Sequence, residues 1–190
     1  MIDITNLKQE INTYGGSELK ATYIINGERY MVKMPDPVRR KNLDINYMNN
    51  QFSEYIGCHI FASIGIPVQE TMLVKIIKNE KEKIAVACKD FLNKDEELIE
   101  IGNVSLSLSA ERKYDASIED VYEMINILSK NYKLTKNDTI SRFWDMFVVD
   151  TLIGNTDRHL GNWGFIKKDD IISFAPVYDC GSSLHPLLSE

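Results

Sequence analysis

The sequence predicts an α+β fold of two lobes, in which the first lobe is β-rich with one helix and the second is mainly helical. Up to about residue 90, short runs of β-branched and aromatic residues alternate with turn signals. Beyond that point, two long segments carry apolar residues at helical spacing. A chain of 190 residues that is 44% hydrophobic can bury one sizeable core or two small lobes. We therefore expect one bilobal domain with lobes at 1–90 and 91–190.

The first lobe begins with a hairpin signal. Asn26-Gly27 stands between two runs of β-forming residues, and this dipeptide favours the tight two-residue turn of a β-hairpin. A helix is predicted further along, because apolar residues recur at helical spacing and Gly65 and Pro67 then end the pattern. The elements predicted for this lobe are strands at 21–25 and 28–33, a helix at about 47–64, and strands at 71–77 and 83–88.

The second lobe carries two amphipathic segments and a second hairpin. Helices are predicted at 117–132 and 137–153, with Ser117 and Asn137 as capping residues at their starts. Two short strands, at 163–166 and 171–174, are joined by a charged turn. Residues 104–109 alternate like a strand but are polar enough for a loop, so their structure stays open.

Charge and composition favour neither nucleic acid nor a membrane as a partner. A net charge of -6 gives no general attraction to nucleic acid or to an anionic membrane. The first residues lack the pattern of a signal peptide, and Asp150 interrupts the apolar run around it, so we expect a cytoplasmic protein without a membrane partner. Three cysteines, at positions 58, 88 and 180, are too far apart for a typical zinc motif, which favours reduced packing cysteines.

One ordered set of residues predicts phosphoryl transfer from ATP. Asp157 is followed five residues later by Asn162, then by the second hairpin, and then by Asp179-Cys180-Gly181. In such an arrangement Asp157 would accept the proton of an attacking hydroxyl, while Asn162 and Asp179 would supply hard oxygen ligands to Mg²⁺. An Asp and an Asn at this spacing are a weak signal alone, but the complete order is specific.

Two neighbouring side chains have alternative interpretations. His159 could act as a general base, but a histidine inside a turn is more often an orienting hydrogen-bond partner, so we place it in the catalytic set as a supporting residue. The pattern favours packing for Phe165 and Tyr178, with Phe165 also a candidate for the floor beneath adenine. The sequence leaves these alternatives open.

Residues 154–162 and 175–179 together resemble the HipA family of bacterial Ser/Thr kinases. The resemblance implies a protein-kinase-like bilobal fold, ATP and Mg²⁺ as cofactors, and a protein substrate with a Ser or Thr acceptor. It also implies a role as the toxin of a toxin–antitoxin pair, with an antitoxin-type partner protein.

The resemblance extends to the first lobe. Gly15, Gly16, Ser17 and Lys20 correspond to the family's phosphate-covering loop, although the loop lacks the GxGxxG pattern of eukaryotic kinases. The segment 30–35 resembles the family's lysine strand, which implies that Lys33 contacts the α- and β-phosphates.

Two further positions in the first lobe follow from the same resemblance. Glu54 falls where the family places the carboxylate that pairs with the strand lysine, here Lys33. Cys88 lies in the expected hinge at 87–91, where backbone groups would meet adenine, although it could equally pack in the core.

Two other functions remain open at this point. Asp157-Arg158-His159 with Asn162 also resembles the catalytic loop of phosphoinositide kinases, which suggests a lipid or small-molecule kinase. In the resembled fold, further helices follow the metal motif, whereas only 182–190 follow it here, so we expect a truncated second lobe. Such a lobe could belong to a fragment, be completed by a partner, or belong to a non-catalytic binding module.

Overall fold

A six-stranded sheet forms the first lobe in the computed structural model, which describes residues 1–11, 20–35, 49–78, 80–104 and 116–187. The strand order is β1-β5-β6-β4-β3-β2, with β1 parallel to β5 and every other pair antiparallel. The strands are β1 (Ile2–Asp3), β2 (Gln9–Glu10), β3 (Lys20–Ile25), β4 (Glu28–Lys33), β5 (Thr71–Lys78) and β6 (Lys81–Lys89). The α+β prediction is confirmed.

The hairpin of β3 and β4 has the turn that its sequence predicts. Asn26 and Gly27 both have positive φ, at 53° and 83°, as a type I′ β-turn requires. The register of the two strands pairs Lys20 with Lys33 at the open end of the hairpin. Lys20 and Lys33 are therefore neighbours at the end of the sheet that faces the second lobe.

The helix of the first lobe, α1 (Asn50–Ser63), packs against β5 and β6. Its predicted first residues, 47 and 48, lie outside the described part of the chain. The helix ends two residues before Gly65, whose φ of 79° takes the backbone out of the helical region. Cys58 and Phe61 turn away from the sheet into the core of the second lobe, so α1 is shared between the two lobes.

Two helices and a three-stranded sheet form the second lobe. The sheet has the order β7-β8-β9, and the elements are β7 (Glu97–Glu100), a short 3-10 helix (Ile101–Asn103), α2 (Ile118–Asn131), α3 (Lys136–Ile153), β8 (Gly164–Lys168) and β9 (Ile171–Phe174). Ser117 caps α2 in a capping box with Asp120, as predicted. The prediction for α3 was wrong at its start, because Thr135 occupies the cap position without a side-chain bond and Asn137 lies inside the helix.

Each lobe has its own apolar core. One core lies on a face of the large sheet and includes Val32, Val74 and Ala87. The other joins α2, α3 and the small sheet through Met124, Phe143 and other side chains that are almost fully buried. Burial of such side chains stabilises a fold by about 1.5–3 kcal/mol each, so two separate cores of this kind can hold two lobes.

The longest helix, α3, presents one apolar side to the surface. Phe143 on its inner side is buried, whereas Phe147, Val148 and Leu152 are exposed. No helix in the described part of the chain is long and apolar enough to cross a membrane.

Candidate active site

Three charged side chains from distant parts of the chain meet between the lobes. Lys33, the last residue of β4, places its Nζ 2.9 Å from Oε2 of Glu54 and 2.8 Å from Oδ1 of Asp179. The Lys33 side chain is 5% exposed and that of Glu54 is fully buried. The expected pairing of Lys33 with Glu54 is present, and Asp179 joins it as a second carboxylate.

Asp179 keeps its negative charge although its side chain is partly buried. Burial alone would raise the pKa of this carboxyl, but the charge and hydrogen bond of Lys33, followed by the charges of Arg158 and Lys20, hold the pKa below its usual value. Its backbone has a φ of 61°, in the left-handed region that aspartate tolerates better than most residues. The carboxylate is therefore fixed in its anionic form next to Lys33.

The lowered pKa of Asp179 predicts a specific loss of stability in acid. A group whose pKa is lower in the folded state stabilises the fold above its unfolded pKa of about 3.9, and this contribution disappears as the pH falls through the folded value. We expect the free energy of unfolding of Asp179→Asn to fall less steeply below about pH 4 than that of the parent. Denaturant titrations between pH 2.5 and 7 measure this slope. Asp145→Asn, at an exposed position of α3, serves as the control and should keep the parent slope; an equally steep fall in Asp179→Asn would contradict the prediction.

Glu54 also binds the segment that follows Asp179. Its Oε1 accepts a hydrogen bond of 3.1 Å from the backbone N–H of Cys180, while its Oε2 binds Lys33. The sulfur of Cys58, one turn along α1, lies 3.8 Å from Oε1. Its hydrogen bond with Cys180 and its burial raise the pKa of the Cys58 thiol, and both cysteines are buried and form no disulfide.

Gly57 permits the close approach of α1 to this segment. A Cβ atom at Gly57 would lie 2.8 Å from Cβ of Cys180, closer than two carbon atoms can pack. We expect Gly57→Ala to destabilise the protein by about 1–3 kcal/mol through overpacking. The gain of about 1 kcal/mol in helix propensity offsets only part of this cost.

The control for Gly57→Ala is Ser63→Ala, at an exposed position near the end of the same helix, where only a local hydrogen bond to Ile60 is lost. Thermal and denaturant unfolding of both variants measures the difference. A Gly57→Ala protein that is more stable than the parent would contradict the packing argument.

The loop after α3 is closed by its own hydrogen bonds. The side-chain amide of Asn162 donates to the backbone oxygen of Asp157 at 2.9 Å, and the backbone N–H of His159 donates to the same oxygen at 2.9 Å. The amide oxygen of Asn162 is left as its acceptor atom, and the Asp157 side chain is exposed. The loop thus holds the accessible carboxylate of Asp157 and the amide oxygen of Asn162 within six residues of the chain.

His159 braces this loop. Its Nδ1 accepts the backbone N–H of Gly161 at 3.0 Å, and its backbone oxygen accepts the N–H of Asn162 at 3.0 Å. A ring nitrogen that holds the loop in this way fits the orienting role and gives no support to a general base.

Arg158 is the residue whose importance the sequence did not reveal. Its side chain is 7% exposed, and its Nε and Nη2 lie 2.7 and 3.1 Å from the two carboxylate oxygens of Asp150. Burial would lower the pKa of this guanidinium, but Asp150 outweighs that effect and raises it. In the sequence, Arg158 was only a member of the catalytic-loop motif, and Asp150 only interrupted an apolar run. A carboxylate on the buried side of a helix requires a partner, and this was the signal that could have identified the pair.

Two predicted nucleotide-binding residues have no side chain free for a ligand. Phe165 is fully buried against Trp163 and Phe174, which corrects the prediction that it forms the floor beneath adenine. The side chain of Cys88 is also fully buried, and its backbone lies inside the sheet, paired with Met31 of β4 and Thr71 of β5.

A different aromatic pair lies at the expected hinge. Phe91 and Tyr178 have ring centroids 5.9 Å apart, and Tyr178 directly precedes Asp179. Tyr178 is therefore the aromatic residue of the second lobe next to the hinge. The predicted loop residues Gly15, Gly16 and Ser17 lie outside the described residues, whereas Lys20 pairs with Lys33 as noted above.

The oxygen atoms of this site suit Mg²⁺. Asp179 supplies an ionised carboxylate and Asn162 an amide oxygen, both hard ligands. Within the described ranges, no three residues among His, Cys, Asp and Glu form a ready metal cluster. A set of this kind fits a cation that is held by one or two protein oxygens together with substrate phosphates.

The paired lysine, the catalytic-type loop and the aspartate after a hairpin define a protein-kinase-like fold. The chain belongs to the HipA-like C-terminal domain family, whose family model matches residues 13–189. It is 42% identical over 178 residues to the serine/threonine-protein kinase CtkA of Helicobacter pylori strain J99, a match that covers 90% of this chain. The matched part is 52% of the length of that relative, so the chain spans about half of it.

Solved structures agree with this assignment. The crystal structure of the Helicobacter pylori proinflammatory kinase CtkA matches with a TM-score of 0.80 and 37% identity, over 99% of this chain and 63% of the other. HipA of Shewanella oneidensis MR-1, in a complex with HipB and operator DNA, matches with a TM-score of 0.53 over 93% of this chain and 45% of the other. At 16% identity, the second match shows the shared fold alone.

Proposed function

We propose that this chain is an ATP- and Mg²⁺-dependent phosphotransferase that modifies Ser or Thr hydroxyls of a protein. The observation that carries the proposal is the contact of Lys33 with both Glu54 and Asp179. Phosphoryl transfer needs a fixed cation at the non-transferred phosphates and an anionic ligand for the metal, and this trio supplies both in one place. The kinase relative that is 42% identical supports the same class of reaction.

Each residue of the site has a role in this reaction. Lys33 binds the α- and β-phosphates, Glu54 keeps Lys33 in place, and Lys20 adds positive charge on the same edge of the sheet. Asp157 accepts the proton of the attacking hydroxyl. Asn162 and Asp179 would hold Mg²⁺, which when bound neutralises the charge on the phosphates.

The partner proteins are part of the proposal. The kinase relative acts by name on serine or threonine, which points to a protein substrate for this chain. The HipA structure contains HipB, and on that likeness of fold we propose an antitoxin-type partner protein here too. Cytoplasmic location stays a prediction from the sequence.

Transfer of label from γ-labelled ATP tests the proposal. The purified protein is incubated with Mg²⁺ and either a bacterial cell extract or phosphoinositide-containing vesicles, and parallel samples contain a chelator. We expect label on protein Ser or Thr, only in the presence of Mg²⁺. Label on the vesicles would replace the protein substrate by a lipid one, and nucleotide binding without any transfer would indicate a binding module.

A further inference from the structure

We propose that Arg158 is a positioning residue that holds both candidate Mg²⁺ ligands, Asn162 and Asp179, from a single buried guanidinium. The inference rests on the proposed function, because it concerns the metal-dependent binding of nucleotide at the same site. It adds a residue that the catalytic motif does not explain. Arg158 itself contacts neither the metal nor the nucleotide in this proposal, and acts on the two candidate ligands through its bonds to Asn162, Tyr178 and Cys180.

The contacts of the two terminal nitrogens of Arg158 support this role. Nη1 of Arg158 donates to the backbone oxygen of Asn162 at 2.6 Å and also to the backbone oxygen of Tyr178, the residue before Asp179. Nη2 lies 3.7 Å from the sulfur of Cys180, the residue after Asp179. The guanidinium therefore contacts the backbone at one candidate ligand and both chain neighbours of the other.

Asp150 fixes the guanidinium from behind. Both of its carboxylate oxygens accept from Arg158, and Oδ1 also accepts the side-chain amide of Asn155 at 2.8 Å. The same amide lies 3.5 Å from the backbone oxygen of Asp179. Asp150 is 4% exposed and belongs to α3, the longest helix in the described part of the chain, so this helix anchors the whole set of hydrogen bonds.

The planar fork of arginine is essential to this arrangement. One guanidinium can bind a carboxylate with two parallel bonds and still direct other N–H groups to two carbonyl oxygens. Lysine keeps the positive charge beside Asp150 but cannot reach all three acceptors from one fixed plane. Replacing arginine by lysine thus separates the charge of the residue from its geometry.

Loss of the fork should appear in the metal dependence of nucleotide binding. Residues that orient metal ligands from outside the coordination sphere change metal affinity by about 10- to 100-fold when they are replaced. We expect Arg158→Lys to raise the Mg²⁺ concentration that supports half-maximal nucleotide binding by about tenfold or more. Affinity for nucleotide at saturating Mg²⁺ should return close to that of the parent, because Lys33 is untouched.

Calorimetry with a non-hydrolysable ATP analogue over a series of MgCl₂ concentrations measures this directly, without any catalytic turnover. Asp150→Asn is the second variant, since it keeps the shape of the anchor, removes its charge and should shift the Mg²⁺ dependence in the same direction. Arg142→Lys is the matched control. Arg142 is on α3, as Asp150 is, and its guanidinium lies over the ring of Phe174 on β9. Its Nε and Nη2 make no hydrogen bond. This control should keep the Mg²⁺ dependence of the parent.

The outcomes separate this inference from the proposed function. If nucleotide binds the parent protein equally well with and without Mg²⁺, the proposed function fails and this inference fails with it. If the parent requires Mg²⁺ and a folded Arg158→Lys protein requires it at the same concentration, only the positioning role is overturned. Failure of both variants to fold, judged by circular dichroism and thermal unfolding, would make Arg158 a residue of the fold and would overturn the positioning role as well.

Discussion

Replacing Asp157 with asparagine is expected to slow phosphoryl transfer by about 10²–10⁴-fold while the nucleotide still binds. The side chain is exposed and faces no cation in the described part of the site, so its loss should leave the contacts of Lys33 unchanged. Asparagine has the shape of aspartate but cannot accept the proton. Its backbone oxygen would still receive the bonds from Asn162 and His159, so the loop should keep its conformation.

Initial rates of label transfer and calorimetric nucleotide affinity, measured on the same preparations, test this expectation. Asp169→Asn is the matched control, because Asp169 is an exposed aspartate in the turn between β8 and β9, outside the site. It should transfer phosphate at the parent rate. If Asp157→Asn did the same, Asp157 would be a structural turn residue and the proposed mechanism would be wrong.

Local patterns were sufficient for most of the elements. The hairpin turn at Asn26-Gly27 depends on two residues with positive φ, and the capping box at Ser117 on two residues three apart. Both are decided within a few positions of the chain, so the sequence predicts them. β1, β2 and β7 were not predicted, because strands of two to four residues are too short for a period to be visible. They form only because a neighbouring strand offers them its edge.

The site was predicted in part, for a related reason. The motif and the family resemblance named Lys33, Glu54 and Asp179, but not the direct contact of Lys33 with Asp179, which joins residues 146 positions apart. Phe165 was a candidate for the nucleotide site, because an aromatic residue near a catalytic loop can belong either to a core or to a ligand site. Phe165 lies on β8 with its ring against Trp163 and Phe174, which shows that it belongs to the core. Such choices depend on packing between elements, which no local pattern encodes.

Lys33→Met is expected to destabilise the protein by about 3–5 kcal/mol, the cost of leaving a buried charge without its partner. Glu54 is fully buried, and after the substitution its Oε2 would lose the cation 2.9 Å away. Methionine fills much of the same volume, so the loss should come from charge rather than from a cavity. Stability totals about 5–15 kcal/mol for most proteins, which makes this a large fraction of it.

A double-mutant cycle identifies the cause of that loss. If the unpaired Glu54 charge is responsible, Lys33→Met with Glu54→Gln should be clearly more stable than the sum of the two single effects allows, because the double variant buries no unpaired charge at this pair. Lys167→Met is the control, since Lys167 meets Glu97 at 3.7 Å in a partly exposed ion pair that should contribute less than about 1 kcal/mol. Equal losses for Lys33→Met and Lys167→Met, or strict additivity in the cycle, would show that Lys33 and Glu54 are only neighbours. The arrangement that supports the proposed phosphate-binding role would then lack its energetic basis.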